Sequence, residues 1–70
     1  MSANNLLSAF MSLNYNLWNE VIAYRAIDEN TLIIGLDNGI GLKVRFNTIA
    51  ERFDILRVEE YSELVINEMN

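Results

Sequence analysis

Glu59, Glu60 and Glu63 are spaced so that a helix would set Glu63 beside either of the other two carboxylates. Such pairs can divide general-acid and general-base roles when burial drives their pKa values apart. On a short terminal helix of a chain with ten acidic and five basic residues, they read instead as a solvated face. The sequence contains no His and no Cys. A Ser-His-Asp triad, a thiol nucleophile and a zinc deaminase site are therefore ruled out, as is any thiolate or imidazole metal centre. Asp28-Glu29-Asn30-Thr31 and Asp37-Asn38-Gly39 offer oxygens to a cation, but neither has the EF-hand spacing. No metal and no cofactor is assigned, and the expectation is a protein that is not an enzyme.

Gly35, Gly39 and Gly41 fall in "GLDNGIG". A phosphate cradle needs a Lys-Ser/Thr ending and a following helix, and this stretch has neither. Gly39 suits a tight hairpin turn, and Gly35 opposite Gly41 suits close approach across two strands.

Arg25, Lys43 and Arg45 are three of the five basic residues. Whether they share a surface depends on strand register. "VIAYRAI", "TLIIGL" and "IGLKVRF" are rich in strand formers and separated by "DEN" and "DNG", the pattern of a three-stranded antiparallel meander. A three-residue loop at Asp37-Asn38-Gly39 pairs Leu36 with Ile40, Ile34 with Leu42 and Leu32 with Val44, so one face is wholly apolar. A two-residue loop would mix charge and hydrophobe on both faces, so the three-residue loop is expected. The same loop at Asp28-Glu29-Asn30, with Asn30 left-handed, pairs Ala26 with Leu32, Tyr24 with Ile34 and Ile22 with Leu36.

Val21, Arg25, Ile27, Ile33, Lys43 and Arg45 then gather on the second face. Apolar residues mixed with cations make a plausible protein interface. The aromatics Tyr24 and Phe46 fall on the other face, so the stacking platforms of a nucleic-acid reader are missing. The competing reading is a face that is solvated, or bridged by Glu59, Glu60 or Glu63 of the last helix.

Flanking elements complete the domain. Leu6, Phe10, Leu13 and Leu17, with Leu7, Met11 and Trp18 beside them, have the spacing of an amphipathic helix within residues 4–19. Asn4 or Asn5 is placed to cap its start, and Asn14 and Asn16 weaken its later turn. Trp18, near its end, closes the core or anchors a partner. Thr48 and Glu51 form a capping-box pattern, leaving 48–58 open between a helix and a short fourth strand. Tyr61, Leu64, Val65 and Met69 mark a closing helix. The expectation is one α+β domain over 1–70: an N-terminal helix, a three-stranded antiparallel meander and a C-terminal helix, with the helices on one face.

Seventy residues bury only about 60% of their unfolded surface, yet 51% of this chain is apolar. That surplus points to association. The reading is a small acidic protein that binds another protein, as an inhibitor or regulatory subunit. The alternatives are a structural homo-oligomer (a homodimer), or an acidic nucleic-acid mimic that blocks a nucleic-acid-binding enzyme. Arg25 and Arg45 are expected to flank the contact. A net charge of −5 disfavours direct nucleic-acid binding. No segment approaches the ~20 apolar residues of a membrane span. No basic region precedes the first apolar residues, so no signal peptide and a cytoplasmic location are expected.

Overall fold

A computed structural model describes residues 3–14 and 19–69. The order is α1 (Ala3–Leu13), β1 (Val21–Ala26), β2 (Thr31–Leu36), β3 (Ile40–Asn47), β4 (Arg52–Glu60) and α2 (Tyr61–Met69). The strands form one antiparallel sheet in sequence order. The fold is α+β, with a full fourth strand where the sequence left 48–58 open. Leu17 and Trp18 lie outside the described residues.

The β2–β3 hairpin has the register its hydrophobic pattern demands. Leu32 stands opposite Val44 and Ile34 opposite Leu42. Gly39 takes φ 90° and donates to Leu36 O at 3.0 Å, closing the three-residue loop. The β1–β2 loop has the expected length but another cause. Asn30 is not left-handed; its N–H donates to Asp28 Oδ1 at 2.9 Å, a side-chain-closed turn. At the far end of β1 the pairing slips at a bulge, so Val21 rather than Ile22 opposes Leu36. The extra residue brings Val21 onto the core and leaves Ile22 exposed.

The anticipated capping box is absent. Asn47 Oδ1 accepts the Ile49 and Ala50 N–H groups, both at 3.0 Å, and turns the chain before a helix can start. Glu51 completes that turn at φ 53°, and Arg52 returns opposite Asn47. Asn4 and Asn5, the expected caps, lie inside α1, which spans Ala3–Leu13. Its end is tied where Asn14 donates to Phe10 O from both its backbone and its side chain.

The helices lie on opposite faces of the sheet, not on one. On the first face, Leu6, Phe10 and Met11 of α1 cover Leu32, Ile34, Leu36, Leu42 and Val44. On the second, α2 begins over the cross-strand pair Gly35 and Gly41. A Cβ on Gly35 would lie 2.9 Å from the Tyr61 ring, and one on Gly41 would lie 2.8 Å from the Tyr61 Cα. The two glycines therefore clear a seat for the helix. The Tyr61 N–H is fastened to Gly39 O at 2.9 Å, and Leu64 and Ile33 are fully buried.

A candidate protein-binding surface

Tyr61, Leu64 and Glu68 recur at three- and four-residue steps, one stripe of α2 that meets the second sheet face. Glu68 ends the stripe between two cations: Lys43 Nζ at 3.1 Å from Oε2 and Arg57 Nη1 at 3.1 Å from Oε1. The hydrogen bond from Lys43, aided by its charge and by Arg57, holds the Glu68 carboxyl below its ordinary pKa despite partial desolvation. These cations also offset the unfavourable position of a carboxylate at a helix C-terminus. The second face is thus bridged by the last helix, but through Glu68 rather than Glu59, Glu60 or Glu63. Glu59 is held by Arg57 at 3.4 Å and Asn67 at 3.3 Å.

This cover divides the surface expected from the sequence. Ile33 is sealed beneath α2, and Lys43 is committed to Glu68, so neither is presented to a partner. Val21 has moved to the first face through the β1 bulge. Ile27 is half-buried, its N–H donating to Thr31 O at 2.9 Å. Arg25 and Arg45 remain exposed on the second face, Arg45 close enough to Asp28 to help lower that carboxyl's pKa. The first cause of the Asp28 shift is its hydrogen bond from the Asn30 backbone. Trp18 lies outside the described residues.

The surface left uncovered is β4. Pairing with β3 puts Phe53, Ile55 and Val58 on the first face, opposite Phe46, Val44 and Leu42. Phe10 of α1 reaches Phe53, with ring centroids 5.3 Å apart and planes near perpendicular, and Phe53 in turn meets Phe46 at 5.1 Å. Beyond Phe53 the helix gives no cover. Ile55 is 61% exposed and Val58 59%, beside a half-open Ile40. A second bulge makes Leu56 the extra residue between Ile55 and Arg57, half exposed in its turn.

The nine-residue β4 is also a sheet edge, with one row of backbone N–H and C=O groups directed away from β3. On its second face Arg52, Asp54, Arg57 and Glu59 alternate in sign, with Arg52–Asp54 at 3.2 Å and Arg57–Glu59 at 3.4 Å. The signal for this surface was present in "FDILRV", a run of strand formers. Its exposure was not, because that depends on how far the short α1 reaches across the sheet.

Two open concavities flank the sheet. One, about 370 Å³, runs between α1 and β1 along Leu7, Met11, Val21 and Tyr24. The other, about 390 Å³, brings Arg45 and Asp54 together with Leu56 and Ile49. Among the described residues no group of three or more acidic side chains is arranged to hold a metal ion, and no helix is long and apolar enough to cross a membrane. Compared with family models, curated proteins and solved structures, the chain matches none.

Proposed function

We propose that this chain is a small non-enzymatic binding protein whose contact surface is the β4 side of the sheet. The observation that carries this reading is the combination of Ile55 and Val58, both more than half exposed, on a strand whose outer edge pairs with no other strand among the described residues. Apolar side chains on an edge strand offer a partner both surface to bury and backbone groups to bond. The second face supports the same choice, since α2 occupies it with Tyr61, Leu64 and Glu68. The acidic balance of the chain, −5, disfavours nucleic acid and favours a protein partner. Inhibitor or regulatory subunit are the roles a domain of this size fills by such contact.

The test is recovery of bound proteins from a native extract with immobilised parent chain and with the Ile55→Asp, Val58→Asp double variant. Both positions are solvent-exposed, so the variant keeps its fold, checked by circular dichroism. Loss of the bound protein with retained fold supports the reading. Equal recovery by both chains contradicts it.

A further inference from the structure

The outer edge of β4 carries a charge pattern complementary to itself. Arg52, Asp54, Arg57 and Glu59 share the second face, while Phe53, Ile55 and Val58 share the first, because the bulge at Leu56 reverses the alternation midway. Antiparallel pairing of two copies about a two-fold axis normal to the sheet requires that opposed residues lie on the same face. An unbroken strand satisfies this by pairing residues of like parity. Here the reversal demands the opposite, and only registers that pair odd with even numbers keep faces matched across the bulge.

Two such registers place eight of the nine β4 residues on the copy. Centring the axis after Leu56 sets Asp54 against Glu59 and so opposes like charges. Centring it between Ile55 and Leu56 sets Arg52 against Glu59, Asp54 against Arg57 and Phe53 against Val58, each met twice by symmetry. Every charge on the second face then finds its opposite, Phe53 and Val58 meet on the first, and Ile55 and Leu56 flank the axis.

Resting on the reading that β4 is the contact surface, we propose that its occupant is a second copy of this chain, paired antiparallel along β4 with Arg52 opposite Glu59. The two sheets join into one of eight strands, and the bulges of the two copies face each other, each strand carrying the same extra residue, so neither outruns the other. Intrachain bonds from Arg52 to Asp54 and from Arg57 to Glu59 run along the strand and remain compatible with the cross-strand pairs.

The experiment is sedimentation equilibrium over a range of concentrations with the parent chain, Arg52→Glu, Glu59→Arg, and an equimolar mixture of the two variants. The parent is expected to dimerise, and each variant to do so roughly tenfold more weakly, since two symmetric contacts turn from attraction to repulsion. The mixture regains the parent's association, because each chain then presents the charge the other lacks. A variant that had merely lost its fold would not be rescued by mixing. Register is read independently by oxidising a mixture of Arg52→Cys and Glu59→Cys chains. Opposed residues lie within disulfide reach, whereas two copies of position 52 stand about 20 Å apart. Mixed disulfide dimers in clear excess over either like-with-like dimer support the proposal.

A parent that stays monomeric at every concentration overturns it, as does a mixture that recovers nothing or a disulfide yield without preference for the mixed pair. A monomeric parent whose Ile55→Asp, Val58→Asp variant still loses an extract partner overturns only the second copy as occupant. If that variant retains its partner too, the β4 reading itself fails.

Discussion

Gly41 and Tyr61 are in backbone contact: a Cβ added to Gly41 would stand 2.8 Å from the Tyr61 Cα. The β3 strand and the first turn of α2 are closer here than any side chain permits. The Gly41→Ala variant is therefore expected to lose about 1–3 kcal/mol of stability through overpacking, measured by denaturant titration. Gly35→Ala is expected to cost less, because its Cβ meets the Tyr61 ring, which can shift more easily than backbone. Equal stability of Gly41→Ala and the parent would mean that α2 does not seat on this pair.

Ile33 and Arg45 lie on the same sheet face but have opposite surroundings. Ile33 is fully buried, so Ile33→Ala is expected to destabilise the fold by about 2–5 kcal/mol. Arg45 is exposed, and Arg45→Glu is expected to stay within about 0.5 kcal/mol of the parent. Thermal or urea unfolding of the two variants checks the ordering. Similar losses would place α2 elsewhere.

Glu68 gives the fold a dependence on acid. Its carboxyl is held below the ordinary value of 4.5 by the hydrogen bond and charge of Lys43, with Arg57 adding to both. A depressed carboxylate contributes stability that is fully present above its unfolded pKa and lost as pH falls through the folded one. The parent should thus lose its advantage over Glu68→Gln as pH falls from about 5 into the range below Glu68's folded pKa. Unfolding midpoints of both chains at pH 7 and pH 3 measure it. A difference between the chains that does not shrink on acidification would detach Glu68 from the two cations.

The meander was legible because register has a yes-or-no consequence. One slip at Asp37-Asn38-Gly39 would have set Leu32 and Ile34 on the opposite face from Leu42 and Val44, and the structure holds all four buried together. The bulges at Ile22 and Leu56 left no such mark, because Ile22 stands between apolar Val21 and Ala23, and Leu56 follows apolar Ile55, so the hydrophobic pattern suits either alignment. Hence Val21 and Ile22 were exchanged. The side taken by α2 was hidden for a different reason. Its signal is the vacant space over Gly35 and Gly41, and in the sequence those glycines read as well for close strand approach as for a helix seat. With α2 placed there, Ile33 and Lys43 left the candidate surface, and the apolar part of it passed to Ile55 and Val58.

Amide hydrogen exchange along Arg52–Glu60, followed as the parent chain is concentrated, tests the β4 surface most directly. Amides of β4 that point away from β3 have no partner strand among the described residues of a single copy and are expected to exchange quickly at high dilution. Their exchange should slow as concentration rises, while that of the outward amides of β1, the opposite edge, stays unchanged. Protection that appears on β1 instead, or β4 amides that exchange equally fast at every concentration, would contradict the assignment.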